Sequence, residues 1–219
     1  MVESNLNEAK AVEFENSLQR VLRRWASQPP SKDPVTIAAL IAFGSQLEFF
    51  SAFNCAPGRL VARAAILRAM LEVLADIAHI QRDASKQAQR ALDYVKSAND
   101  LRPAMLEAAL ALKVGTKGKS MRQLTNWTSS SVDDRLNAIT PSMAHLYDVL
   151  SYCSHAHPGK VWLFGNSPEE GPMPESYLRR LAYVQMYSVA SRAGDMGVLE
   201  SDEIRYIDEA KQQLDALIE

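Results

Sequence analysis

Apolar residues recur at intervals of three and four through most of the 219 residues, and strict alternation over strand-length runs is hard to find. Because successive helical residues turn by about 100°, this spacing gathers apolar side chains on one helix face, and the pattern predicts an all-α chain. The breaks fall at prolines and glycines. Helices are expected from about Asn5 to Ser27, where Pro29 and Pro30 stop the chain, from Pro34 to Phe53, ended by Pro57-Gly58, and from Gly58 to Gln81. Asp33 and Thr140 each offer a side chain to cap the free N–H groups of a helix start. The proline that follows each one lacks only an N–H that would find no partner at the first helical position.

Past Asp83 the helical spacing continues to Val114, with a break at Asn99-Asp100 because Pro103 cannot sit in an undisturbed helix interior. Residues 115–131, GTKGKSMRQLTNWTSSS, are polar and rich in glycine and serine, and read as a connection with at most a short helix near Arg122. Ser131 and Asp134 have the spacing of a capping box. Pro141 opens a helix to about His155, and His157-Pro158-Gly159 closes it. A loop over 158–173 then leads to helices from Pro174 to Ala193 and from Ser201 onward, with Gly194 and Gly197 at the turn between them. The expected architecture is one helical domain over 1–219, an all-α bundle of about seven to nine helices with no sheet. Residues 1–30 would form a peripheral helix, and 115–131 and 158–173 would be loops.

Composition adds exclusions. With 47% hydrophobic and 23% charged residues the chain can bury a globular core, so neither disorder nor a fibrous class is indicated. Lys and Arg total 24 against 26 Asp and Glu, and a formal charge of -2 gives no net field toward nucleic acid or anionic lipid; any such contact must be a local patch. The start, MVESNLNEAKAVEFENSL, is acidic and periodic, unlike a secretory signal, so a cytoplasmic location is expected. The most apolar stretch, Leu60 to Ile80, is interrupted by Arg63, Arg68, Glu72, Asp76 and His79, so no membrane span is expected. Cys55 and Cys153 form no CxxC pair and read as reduced, packed thiols.

The candidate chemistry lies on two helices. In the third, Arg68, Glu72, Asp76, His79 and Arg82 share one stripe opposite Ile66, Met70, Val73 and Ile77. The plain reading is a solvated face laced by i,i+4 pairs. The functional reading rests on Ala64, Ala65 and Ala75, small residues that let another helix approach and enclose the Arg68–Glu72 pair. In the Pro141 helix, Met143, Leu146, Val149, Leu150 and Cys153 make the apolar face, with Tyr147, Ser151 and His155 at i,i+4 spacing on the other side. An imidazole one turn from a hydroxyl can take its proton, but no GxSxG elbow or orienting carboxylate accompanies them.

His145, His155 and His157 crowd Cys153, and Asp76 with His79 forms one carboxylate-x-x-histidine step. A di-iron site needs two such steps, so no metal or other cofactor is expected. GTKGKS resembles the end of a phosphate loop, but Lys113 stands where a Walker glycine belongs. Its lysines, with Arg122 and Trp127, suggest a patch for RNA or a phosphorylated ligand.

Three segments, ARAAILRAMLEVLADIAHI with the following RDASKQAQRALDYV, the loop from Trp127 into SVDDRL at Arg135, and YDVLSYCSHAHP, resemble an uncharacterised all-helical family of bacterial and phage proteins, a domain of unknown function. That resemblance spans roughly Ala62 to Pro158 and implies that Arg68, Glu72, Tyr147, Ser151 and His155 face one another around a polar centre. The chain is also similar in appearance to the HEPN helical domains, many of them metal-independent ribonucleases of defence and toxin systems. Their arginine before the histidine is missing here, where Val149, Leu150 and Ser151 stand.

The expectation is a polar ligand-binding centre between the 58–81 and 141–157 helices, with Tyr147, Ser151, Asp76 and His79 as ligand contacts. The enzyme alternative makes His155 the general acid/base, Arg68 the anion stabiliser and Glu72 its orienting partner on RNA. A third reading is a non-catalytic interaction module, a homodimer through an apolar helix face.

Overall fold

The structure is a computed structural model that describes residues 2–28, 31–99, 127–154 and 174–215, with the side chains of 2–11, 154, 210–211 and 213–215 excepted. Helices are α1 (Val2–Ala26), α2 (Pro34–Asn54), α3 (Leu60–Gln81), α4 (87–99), α5 (Val132–Asn137), α6 (Pro141–Ser154), α7 (Glu175–Asp195) and α8 (Ser201–Asp215), with a 3₁₀ turn at Ala84–Lys86 before α4. Among the described residues there is no strand, and the all-α bundle stands.

Local chemistry places several of these ends. Asp33 accepts from Val35 N and Thr36 N at 3.3 and 2.9 Å, with Pro34 at the first helical position. Ser131 and Asp134 form the reciprocal capping box of α5. α3 starts at Leu60 rather than Gly58: Gly58 has φ 68° and turns the chain out of α2. Gly194 lies inside the last turn of α7, and Gly197 alone makes the turn. Its φ is 80°, and bonds from Val198 N to Ala193 O and from Gly197 N to Gly194 O, both 2.9 Å, complete a Schellman motif.

α3 is the hub and packs against α2, α5, α6 and α7. Its Leu67, Met70, Leu71, Leu74 and Ile77 are fully buried, together with Phe43, Phe50 and Phe53 of α2. Phe50 meets Tyr183 of α7 edge-on at 4.9 Å between centroids, and Phe14 of α1 at 6.1 Å. The first helix is therefore not peripheral over its second half. Phe14, Leu18 and Val21 are core residues, and Trp25 Nε1 donates to Val198 O at 2.7 Å.

Among the described residues the helix long and apolar enough to cross a membrane is α2 rather than Leu60–Ile80. Its length and composition meet that test, and here its face from Ala38 to Phe53 is part of the core. Cys153 is buried as expected, whereas Cys55 is exposed. The expected break from Asp100 onward, most of 115–131, all of 158–173 and the helix end at His155 fall outside the described residues.

Two of the buried polar groups come at a cost. Gln46 on α2 and Gln185 on α7 are enclosed with both amide atoms unbonded, and such desolvation costs about 1–3 kcal/mol per group. Arg63 is only 2% exposed. It stacks over the Phe53 ring at 4.5 Å and pairs with Glu175, the first residue of α7, at 2.5 Å. Burial pushes the Arg63 guanidinium below its ordinary pKa, against the pull of Glu175.

Candidate functional site

The stripe Arg68–Glu72–Asp76–His79 on α3 does turn toward neighbouring helices, and it makes two polar centres along one ridge. At the first, α6 lies alongside α3. Arg68 Nε donates to Ser151 Oγ at 2.9 Å and its Nη2 donates to Tyr147 Oη at 2.7 Å. Tyr147 Oη in turn donates to Glu72 Oε1 at 2.9 Å, and Arg68 Nη2 pairs with the same carboxylate oxygen at 3.1 Å. Ser151 and Tyr147 reach α3 together because they stand one helical turn apart, matching the Arg68–Glu72 step.

The guanidinium carbon lies 5.0 Å from the centroid of the Tyr147 ring. Burial raises the Tyr147 phenol above its ordinary pKa, and its bond to Glu72 raises it further. It stays protonated at neutral pH and acts as the donor the geometry requires. Tyr147 is itself a core residue, 8% exposed, while the Arg68 and Glu72 side chains are 35% and 40% exposed. The centre is therefore half-open, not enclosed as the small flanking residues suggested.

The second centre forms one turn further on, where α5 and the segment before it cover α3. Asp76 Oδ1 accepts from Arg135 Nη2 at 2.9 Å and from Trp127 Nε1 at 3.3 Å. Burial pushes the Asp76 carboxyl up to about 6, although Arg135 and Trp127 pull the other way. The Trp127 ring is met edge-on by His79 at 5.5 Å and by Tyr94 of α4 at 5.1 Å, and Arg135 approaches its centroid to 5.9 Å. Thr128 Oγ1 and His79 Nε2 are 3.3 Å apart, and the buried His79 Nδ1 has no hydrogen-bond partner. Burial, then Arg90, Arg135 and Arg82, lower the His79 pKa, so the imidazole is neutral at neutral pH. Tyr94 is pushed above its ordinary value by burial, with Asp76 adding to it.

Arg68, Glu72, Tyr147 and Ser151 thus come together, while Asp76 and His79 belong to a neighbouring centre with partners from α5 and residues 127–128. His155 lies outside the described residues, as do Lys117, Lys119 and Arg122 of the expected cationic patch. Trp127 of that patch is partly buried on α3. Among the described residues no three His, Cys, Asp or Glu side chains are close enough to hold one metal ion.

Sequence reading missed Arg63 with Glu175 and the Asp76–Arg135 pair. A lone arginine among apolar residues marks the first only after the helix ends are known, and the second joins residues far apart in sequence. No protein-family model, curated protein or solved structure matches this chain.

Proposed function

We propose that this chain is a helical recognition protein that holds a small polar ligand at the half-open edge between α3 and α6. What supports the reading most is leftover hydrogen-bonding capacity on fixed groups. Tyr147 and Ser151 hold Arg68 by Nε and Nη2, and among the described residues its Nη1 donors are uncommitted, as is the second oxygen of Glu72. A donor beside an acceptor, both preorganised and both reachable from solvent, suits a ligand edge of the same kind, such as an amide or the edge of a nucleobase.

Ligand-observed NMR with the four ribonucleosides and with the free amino acids tests this. At least one should give saturation transfer from the wild-type protein, and Arg68→Gln or Glu72→Gln should abolish it with the fold intact. Silence from every compound on folded wild-type protein contradicts the proposal.

A second reading, ribonuclease action, draws on one relation: Arg68 is bonded to Ser151, one turn before His155 in sequence. In it His155 is the general acid/base and Arg68 steadies the phosphodiester charge. Single-stranded RNA incubated without metal should then be cleaved, and His155→Ala should stop the cleavage. Intact RNA, or equal cleavage by the variant, ends that reading.

A further inference from the structure

Next to the second centre, and sharing His79 and Arg135 with it, a cleft of about 250 Å³ opens where the last turns of α3, α5 and α7 meet. Its walls carry Arg82, Arg135 and Arg192, with His79, Gln81 and Ile139 between them, and among the described residues no carboxylate lines it. We propose that this cleft binds a small phosphate-type oxyanion, either free phosphate or the phosphate group of a small molecule.

Helix C-termini favour cations, and that alone could place arginines here. The bonding argues otherwise, because other donors take several of the carbonyls at these ends. Met196 N takes those of Arg192, Ala193 and Gly194, Ala138 N and Thr140 N take those of Asp134 and Leu136, and Arg90 takes His79 O. None of the three cleft arginines is bonded to them.

Two of the arginines are instead held in place from the side. Arg192 Nη1 donates to Gln81 Oε1 at 2.8 Å while Gln81 Nε2 donates to Arg192 O at 3.0 Å. Arg135, 8% exposed, is pinned by Asp76 and by Ser130 O, with its Nε buried and unbonded. Arg82 is exposed, and among the described residues neither Arg82 nor Arg192 has a carboxylate at ion-pair distance. The Arg192 guanidinium is also pushed below its ordinary pKa by burial, with Asp195 only partly offsetting it. Among the described residues Asp76 is the one carboxylate ion-paired with any of the three guanidinium groups, two of which are preorganised. Their planar forks match phosphate oxygens, and the cleft has room for a single such group.

Calorimetric titration of the full chain with inorganic phosphate and with glycerol phosphate, at ionic strength held constant with chloride, tests this. Saturable binding of one or both is expected. Arg82→Gln and Arg192→Gln should each weaken it by roughly tenfold or more, as expected for loss of a charge-assisted contact. Arg205→Gln, an exposed arginine on α8, should leave it unchanged. Tighter binding of the ester identifies a phosphorylated small molecule, and equal binding identifies the free ion. Arg82 is exposed, so its variant reads binding without a folding defect. No saturable heat at millimolar phosphate, or binding that survives both cleft variants, overturns the proposal.

Discussion

Glutamine in place of Glu175 should lower the unfolding free energy by about 3–5 kcal/mol, the usual cost of stranding one member of a buried ion pair. Glu175 is the carboxylate within ion-pair distance of Arg63, whose side chain is 3% exposed and whose Nε already lacks a partner. The amide keeps the shape and removes the charge, leaving the guanidinium over Phe53 without its counter-ion. Urea unfolding should show the midpoint falling with an unchanged slope. Replacing both partners, Arg63→Met with Glu175→Leu, should recover most of the loss, because two apolar side chains owe no desolvation. A single variant as stable as wild type would remove the pair from the account.

Asp76 should contribute stability that grows as the pH falls from 7 to 4, opposed by His79, whose lowered pKa costs stability in the same direction. Its carboxyl is raised from 3.8 to about 6 in the folded state, so between those values the folded chain holds a proton that the unfolded chain has released. The stabilising contribution is therefore complete below about 3.8 and is lost as pH climbs through 6. Two pKa units correspond to about 3 kcal/mol at most. Asp76→Asn should remove this contribution over the same window, and carboxyl NMR should give a midpoint near 6. Arg135→Gln should move that midpoint higher, because it removes the attraction that now opposes burial. A midpoint at the ordinary carboxylate value would mean that Asp76 is well solvated.

The helix pattern was legible because caps and breakers act locally: Asp33, the Ser131–Asp134 box and Gly197 do in the structure what their residue types favour. The α3–α6 centre was legible in outline for a related reason. Two i,i+4 steps, Arg68 with Glu72 and Tyr147 with Ser151, each define a face, and two such faces can meet in register. Spacing could not give the partners of the ridge's far end. Arg135 and Trp127 reach Asp76 from more than 50 residues away, and only tertiary packing of α5 on α3 brings them there. The core role of α1 was hidden because its apolar stripe at Phe14, Leu18 and Val21 is one that a peripheral amphipathic helix would also show. The cationic cleft was invisible for the same reason as Arg135: its arginines come from three helices and converge only where those helices end.

The proposed recognition site depends on the α3 ridge turning inward against α6, and a double-mutant cycle between Arg68→Met and Tyr147→Phe measures that contact directly. Neighbours in one hydrogen-bonded network should give a coupling energy of about 1–2 kcal/mol in unfolding. Effects that add to within about 0.3 kcal/mol would mean that the two side chains do not touch, and would contradict the inward-facing ridge.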